Sequence, residues 1–265
     1  MIRKCDNGDI EKVLEYIDRD YGKCLYMYID IKKYGMNTDF FTVWLCEDKD
    51  GKPEAVVSGY HTGMQIFSRD NEFDKESVSG LILNNTPTMV AGMKDTIDLI
   101  KAFFSGYSEE CGSVGKLAEI KAVPAPGAYS SGDGEIREIV DLISKDDELG
   151  GPYRYEDLLS QFTERRKEGF GRNYILRNTD NALIGHAATY AELSDLAVIS
   201  GVITAPEFRG KGYSEGILAA LCEALIRESK DVFSYYYIEA AERMHKGVGF
   251  ETIGEWSKLV KDEKD

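Results

Sequence analysis

The segment from Gly201 to Gly216, Gly-Val-Ile-Thr-Ala-Pro-Glu-Phe-Arg-Gly-Lys-Gly-Tyr-Ser-Glu-Gly, contains the residue types that bind phosphate. An apolar, β-rich run ends at Ala205-Pro206, because proline cannot donate to a strand ladder. Glycines follow at 210, 212 and 216, and an amphipathic run from about Tyr213 predicts a helix. Glycines allow close backbone approach, and the first N–H groups of a helix are unpaired and electropositive. The segment therefore predicts a site for a pyrophosphate group.

Basic side chains reinforce this prediction, since Arg209 and Lys211 add positive charge to an otherwise acidic chain. Two other phosphate motifs are excluded. A P-loop needs Ser or Thr after its lysine, but Gly212 follows Lys211. A dinucleotide G-x-G-x-x-G motif fails because Glu215 occupies its last position. A glycine-rich turn with a purely structural role is the remaining alternative.

The run Arg209-Gly-Lys-Gly-Tyr-Ser214 resembles the acetyl-CoA motif R/Q-x-x-G-x-G/A of GNAT N-acetyltransferases, with Ser214 replacing the final Gly or Ala. The resemblance implies that this loop holds the pyrophosphate, that the preceding strand pairs with the pantetheine arm, and that a backbone N–H at or near Ile203 polarises the thioester carbonyl. Gly201 suits a bulge that separates this strand from the next. The implied cofactor residues are Val202, Ile203, Thr204, Arg209, Gly210, Lys211, Gly212, Tyr213, Ser214 and Glu215.

A second similarity lies downstream, where Ile238 to Phe250 resembles the closing family pattern N-x-x-A-x-x-x-Y-x-x-x-G-F. Ala241 matches, as do the final Gly and Phe, but Ile238 replaces the Asn. His245 replaces the Tyr that commonly protonates the leaving thiolate. An imidazole with a pKa near ~6.5 is partly protonated at neutral pH, so His245 is the predicted general acid. A solvent-facing helix histidine is the alternative.

The general base is less clear from the sequence. By resemblance, family members place Glu at the position of Val198 or His at the position of Ser200, and neither residue is present. Glu192, at the end of the preceding strand, is the predicted base, with His186 on the same strand as a second candidate. A core or surface role is the alternative for each, and a water relay needs neither.

The order of predicted elements in the second part of the chain agrees with the GNAT resemblance. The expected fold class is α+β, a GNAT fold with a central mixed, splayed β-sheet flanked by helices. Periodicity predicts helices at 135–144, 155–168, 213–229 and 239–246, and strands at 173–177, 183–192, 196–204, 232–237 and 251–259.

A Pro-, Gly- and Ser-rich stretch at 123–134 predicts a boundary, and hence two domains at 1–126 and 127–265. The first reads as α/β, with helices at 9–18 and 94–104 and strands at 41–46, 54–59, 62–68 and 116–122. The whole chain resembles bacterial two-part GNAT proteins, which implies a degenerate GNAT-like N-terminal half. We expect that half to shape the acceptor pocket or an interface.

Charge and composition restrict the partners. The net charge of −15 disfavours nucleic acid and anionic membranes and favours a cationic substrate such as an amine. The absence of a bilayer-length apolar run or an apolar leader predicts a cytoplasmic protein. Five scattered cysteines suit a reducing compartment, and no Cys or His spacing indicates a metal site. A homodimer is neither indicated nor excluded.

The sequence thus predicts an enzyme that transfers an acetyl group from acetyl-CoA directly to a primary amine of a small molecule or peptide. One alternative is a non-catalytic acyl-CoA-binding regulatory module, favoured by the lost family Tyr, Asn and base. Another is a tandem acyl or aminoacyl transferase with a larger donor and a cleft between two halves.

Overall fold

The computed structural model describes residues 1–36, 38–146, 149, 151 and 154–262. The chain divides into two compact units: Met1–Val114 with Ile253–Asp265, and Gly115–Thr252. The boundary predicted near residue 127 lies within the second unit. The last residues, predicted to belong with the second part, pack in the first unit because the C-terminal strand pairs there.

The first unit runs strand, helix, helix, then three strands, then helix, strand, helix and strand. The elements are β1 Ile2–Lys4, α1 Ile10–Ile17, α2 Leu25–Tyr34, β2 Phe41–Glu47, β3 Pro53–Tyr60, β4 Gly63–Phe67, α3 Lys75–Asn84, β5 Met89–Met93, α4 Lys94–Ile100 and β6 Tyr107–Leu117, which continues into the second unit. The sheet of the first unit has the order β1-β2-β3-β4-β5-β12, with the C-terminal strand β12 (Phe250–Lys261) beside β5.

The second unit has the same succession of strands and helices, and β12 is the last strand of that succession in chain order. The elements are β7 Tyr129–Ser130, α5 Ile136–Ile143, α6 Tyr155–Lys167, β8 Asn173–Arg177, β9 Leu183–Glu192, β10 Leu196–Thr204, α7 Tyr213–Arg227, β11 Asp231–Tyr236 and α8 Glu239–Val248. The sheet of the second unit has the order β11-β10-β9-β8-β7.

Strand pairing is also the same in the two units. Three antiparallel pairings are followed by one parallel pairing, β4 with β5 in the first unit and β10 with β11 in the second. A parallel pair needs a crossover connection, which α3 and α7 supply. The predicted α+β fold is confirmed, and the N-terminal half has the same topology as the C-terminal one.

Helices cover both faces of the second sheet. On one face, α5 buries Ile136, Ile139, Val140 and Ile143, which lie on one stripe at helical spacing. Each such burial contributes roughly 1.5–3 kcal/mol. The core on this face includes Ile203 of β10. On the other face, α7 packs apolar side chains such as Leu221 against β10 and β11. The strand that carries the candidate cofactor residues is therefore held from both sides.

Some predicted elements were wrong or missing. The strand expected at 116–122 ends at Leu117. The next residues hydrogen-bond to the end of α8 and the turn after it instead of to a neighbouring strand: Ala118 N donates to Gly249 O, and Lys121 N donates to Val248 O. Helix α2 was not predicted because it is buried on more than one side and lacks a single apolar stripe. Helix α3 and strand β5 were also not predicted.

Candidate active site

The second sheet opens between β10 and β11. Their parallel pairing runs from Leu196↔Asp231 to Ile199↔Ser234 in the described residues, although β10 continues to Thr204 and β11 to Tyr236. We call this point, where the pairing stops, the fork. Beyond it the end of β10 leaves its neighbour, which gives the splayed sheet that the sequence predicted.

A β-bulge begins just beyond the fork. Ser200 pairs with Ala188 and Ile203 pairs with His186, so two residues of β10 lie opposite one residue of β9. Gly201 has a φ of +60°, in the left-handed region that favours glycine. An extra residue in one strand bends that strand and increases its twist. The bulge predicted at Gly201 therefore accounts for the departure of β10 from β11.

His186 lies beneath this bulge and is fully buried. Its Nδ1 lies 2.7 Å from the carbonyl oxygen of Gly201, and its Nε2 lies 2.9 Å from Oδ1 of Asn173. The ring of Phe162 on α6 packs 5.9 Å away. Burial lowers the pKa of His186 to about 4, and the bond to Gly201 only partly opposes this effect. The ring is therefore neutral at physiological pH. Because the Gly201 carbonyl can only accept, Nδ1 carries the single proton, and the Asn173 amide must be turned so that its Nδ2 donates to Nε2.

The segment after β10 has the features of an anion-binding loop. Gly210 and Gly212 both have φ of +76°, and Gly212 is the N-cap of α7. No side chain caps this helix, so its first N–H groups point into a pocket of about 160 Å³. Phe208, Tyr213 and Met244 contribute apolar walls to that pocket. Unpaired N–H groups and the helix dipole together favour a phosphate ligand.

Side-chain bonds fix the loop to the end of β10. The hydroxyls of Thr204 and Ser214 lie 2.5 Å apart, and Arg209 Nε donates to Thr204 O over 3.1 Å. Arg209 also pairs with Asp146 at 3.0 Å, so part of its charge is already neutralised. Lys211 is exposed, with Nζ 5.7 Å from the centre of the Phe208 ring. These bonds hold Thr204 at the end of the strand against Arg209 and Ser214 of the loop.

The corresponding loop of the first unit lacks these features. Between β4 and α3 the chain has no glycine from Ser68 to Asp74. The N-cap carboxylate of Asp74 accepts hydrogen bonds from the backbone N–H and the hydroxyl of Ser77. An acidic group thus occupies the position where a phosphate would bind. The first unit therefore repeats the topology of the second unit but not its anion-binding loop.

His245 lies at the fork but in the core. It is 4% exposed and stacks on Tyr236 at 5.1 Å. Nδ1 donates to Ala241 O over 2.7 Å, and Nε2 accepts from the Ser234 hydroxyl over 2.8 Å. Burial lowers its pKa. The general-acid role of His245 stays a prediction, and this geometry weighs against it, because both nitrogens are bonded and the neutral form is favoured.

Glu192 lies at the other end of β10. It pairs with Ala197 in the ladder, six residues before Ile203, or roughly 20 Å along the strand at about 3.3 Å per residue. Arg172 donates to its two oxygens over 2.8 and 2.7 Å, and the Thr189 hydroxyl donates over 2.6 Å. The structure does not bring Glu192 to the fork. Its predicted role as general base stays a prediction that this distance disfavours.

A larger cavity of about 630 Å³ lies between α5 and α6 and includes no residue of the cofactor segment. Its basic residues are Arg137, Arg166 and Lys167, and Arg166 forms an ion pair with Asp133. Cations in the last turn of α6 also stabilise that helix through its dipole. We assign the candidate site to the smaller pocket, because within the described part of the chain left-handed glycines and an uncapped helix terminus coincide only there.

Asn173 and Ser234 were missed as site residues. Each is a buried polar side chain bonded to one of the buried histidines. Their types alone carry no signal, since the contact partners lie 13 and 11 positions away in the chain. In the described residues we find no group of three or more His, Cys, Asp or Glu side chains that could hold a metal ion, and no helix there is long and apolar enough to cross a membrane.

Comparison with known families and structures agrees with this description. Residues 136–250 match the sequence profile of the acetyltransferase (GNAT) family. No curated protein sequence matches the chain.

Among solved structures, a GCN5-related N-acetyltransferase from Sphaerobacter thermophilus has a TM-score of 0.65 at 13% identity, covering 98% of this chain and 94% of its own. A GNAT-family acetyltransferase from Colwellia psychrerythraea has a TM-score of 0.61 at 9% identity, covering 99% and 100%. A tandem GNAT protein from the clavulanic acid biosynthesis pathway has a TM-score of 0.59 at 13% identity, covering 100% and 99%. At these identities the similarity establishes the fold.

The position of Glu192 predicts a role in stability. Glu192→Ala removes the acceptor of Arg172 Nε and the carboxylate partner of the buried Thr189 hydroxyl, and the loss of these bonds costs about 3 kcal/mol in free energy of unfolding. Glu228, which is 43% exposed and bonds the same Arg172, provides the matched control, and Glu228→Ala should cost about 1 kcal/mol or less. Urea denaturation measures both. Equal losses in the two variants would show that burial of Glu192 does not matter.

The buried neutral His186 predicts a pH dependence of stability. Its folded-state pKa of about 4 lies below the unfolded value near ~6.5, so the unfolded state binds more protons as the pH falls through this interval. Stability is retained above pH ~6.5 and declines below it, by about 2 kcal/mol at pH 5. His186→Asn removes this contribution. Urea denaturation at pH 7.5 and pH 5 should show a smaller decrease in the variant, and an equal decrease would contradict the assignment.

Proposed function

Residues 136–250 form a domain of the GNAT acetyltransferase family, and we propose that this domain transfers an acetyl group from acetyl-CoA directly to a primary amine. The observation that carries the proposal is the coincidence of two features at the end of β10. One is the strand end that has left β11, and the other is the uncapped N-terminus of α7 behind Gly212. A strand end accepts an extended ligand by backbone pairing, and the helix terminus accepts its phosphates.

In this proposal the two ends of the cofactor bind separate parts of the segment. The pyrophosphate contacts the N–H groups from Gly210 to Glu215, and the pantetheine arm pairs with Val202 to Thr204 as an added strand. The thioester then lies near the fork. Apolar walls formed by Phe208 and Met244 suit the uncharged part of the ligand. The small anion-binding pocket and the open strand edge together fit a long ligand with one negatively charged end.

Catalysis then depends on positioning rather than on a covalent intermediate. The neutral amine attacks the thioester carbonyl, a C–N bond forms, the C–S bond breaks and CoA leaves as its thiolate. A fixed backbone N–H of the bulge stabilises the developing oxyanion, which is commonly the largest single catalytic effect. His245 and Ser234 line the fork, and their neutral hydrogen-bonded pair orders this end of the cleft. Solvent supplies the remaining proton transfers.

The acceptor is proposed only by class, as the primary amine of a small molecule or peptide. A net charge of −15 attracts cations and repels nucleic acid and anionic lipid surfaces. The neutral form of the amine is the nucleophile, so activity should increase with pH toward the pKa of the acceptor. A screen of amines that measures thiol release would identify the acceptor.

A second candidate function is a non-catalytic acyl-CoA-binding module. The specific observation in its favour is that both predicted catalytic residues are occupied: His245 by two hydrogen bonds in the core, and Glu192 by an ion pair about 20 Å from Ile203. Saturable acetyl-CoA binding with no thiol release on a broad amine panel would favour this function over the enzyme.

The cofactor site predicts that Gly212→Glu abolishes acetyl-CoA binding. The substitution places a carboxylate at the helix terminus, where it repels phosphate, and strains a residue with φ of +76°. Gly169→Glu is the matched control, because Gly169 also has a positive φ of +66° and open space around it but lies after α6. Each substitution costs about 1–2 kcal/mol in backbone strain.

Isothermal calorimetry measures both variants against the wild type. The control should retain wild-type affinity within about threefold, while Gly212→Glu should lose at least about 100-fold, or 2.7 kcal/mol. Equal affinity in all three proteins would place the ligand elsewhere. Failure of the wild type to bind would contradict the proposed function itself.

The difference between the two units predicts a stoichiometry. One acetyl-CoA should bind per chain, because Asp74 caps α3 in the first unit whereas α7 is uncapped in the second. The fitted molar ratio from the same calorimetric titration measures this number. A ratio of two in the wild type that falls to one in Gly212→Glu would show that the first unit also binds the cofactor.

A further inference from the structure

We propose that His186 is a positioning residue for acyl transfer, which fixes the bulge of β10 so that one backbone N–H faces the thioester carbonyl. The inference rests on the proposed function, since it assumes that the acetyl group of acetyl-CoA lies at the fork. Neither the family match nor the cofactor motif identifies which residue fixes the orientation of this backbone N–H donor.

The bulge leaves one peptide group without a place in the ladder. Gly201 and Val202 lie opposite Ala187 alone, between the Ser200↔Ala188 and Ile203↔His186 pairs. A buried backbone carbonyl without a partner costs about 1–3 kcal/mol. The imidazole Nδ1–H of His186 replaces the missing strand partner by donating to Gly201 O over 2.7 Å.

The ring of His186 is held on every side. Its Nε2 lies 2.9 Å from the Oδ1 position of Asn173, where the turned amide places its donating nitrogen, and Phe162 packs beside the ring. The ring lies so close to Gly201 that a Cβ there would be 3.3 Å from Cε1, and Ile143 covers the same position. Because the side chain is 0% exposed, water cannot replace the bond to Gly201. The neutral ring has a single N–H, and the carbonyl of Gly201 takes it.

The geometry of the peptide bond converts this contact into a functional constraint. In a planar trans peptide the carbonyl and the following N–H point in opposite directions. Fixing the carbonyl of Gly201 toward His186 therefore fixes the N–H of Val202 away from His186. Val202 lies beyond the last pair of β10 with β11, at Ile199↔Ser234, on the strand end that has left its neighbour. Of the backbone donors near Ile203, this constraint selects Val202 N–H as the one that polarises the acetyl carbonyl.

Two substitutions of His186 distinguish the effect of the hydrogen bond to Gly201 O from the effect of having any polar side chain at position 186. In His186→Asn the amide nitrogen lies near the place of Nδ1 and can still donate to Gly201. In His186→Gln the amide reaches the place of Nε2, toward Asn173, and the carbonyl of Gly201 loses its donor. Both replacements are neutral at all pH values, so charge does not differ between them.

The test is isotope-edited infrared spectroscopy of acetyl-CoA labelled with ¹³C at the carbonyl, bound to each protein. Hydrogen bonding lowers the carbonyl stretching frequency. Wild type and His186→Asn should shift the bound band below that of the free ligand, and His186→Gln should lose the shift while it still binds CoA. With an acceptor in hand, His186→Gln should lose about 10²-fold in kcat, as expected for one lost oxyanion donor, with little change in acetyl-CoA affinity.

Equal carbonyl shifts in wild type and His186→Gln would overturn the role of His186 and leave the proposed function intact. If the wild type does not bind acetyl-CoA, the proposed function fails, and this inference fails with it. If His186→Gln does not fold, a measurement on the wild type still tests the bond from His186 to Gly201. Nitrogen NMR should show His186 protonated at Nδ1, and protonation at Nε2 instead would contradict the bond to Gly201.

Discussion

The second unit depends on one constraint: β10 must pair with β11 at its start and separate from it at its end. The first requirement is met by four parallel pairs that end at Ile199↔Ser234. The second is met by the bulge at Gly201, whose left-handed backbone bends the strand and whose carbonyl is held by His186. Helices pack against both faces of the sheet near this point, so the separation of β10 from β11 is part of the packed fold.

The first unit shows what the same topology gives without that constraint. There β4 and β5 form the parallel pair, and a Cβ on Gly92 would be only 2.7 Å from Ile66 O, so the two backbones stay in close contact. The helix that follows is capped by Asp74, whereas α7 begins at Gly212 with no cap. A common chain order thus produces a closed sheet in one unit and an open one in the other. Fold alone does not determine which unit carries the site.

The sequence predicted the parts of the site that are local in the chain. Short apolar, β-rich runs bounded by turn signals located β8, β9 and β10 to the residue, and the glycines located the loop before α7, because turn and helix-start signals act over a few positions. Contacts between distant residues carried no such signal. The burial of His245 depends on Ser234 and Tyr236 from another strand, and the ion pair of Glu192 depends on Arg172. The chemical roles therefore could not be read from residue type alone.

In the proposed function, acetyl-CoA binds along the end of β10 and against the start of α7. Amide hydrogen exchange with and without acetyl-CoA tests it most directly, because it reports on each backbone segment without requiring an acceptor. Binding at this site should slow exchange in two segments, Val202–Thr204 and Gly210–Glu215, with no change from Ser68 to Ser77. Protection confined to the first unit, or none at all in the presence of saturating ligand, would contradict the assignment.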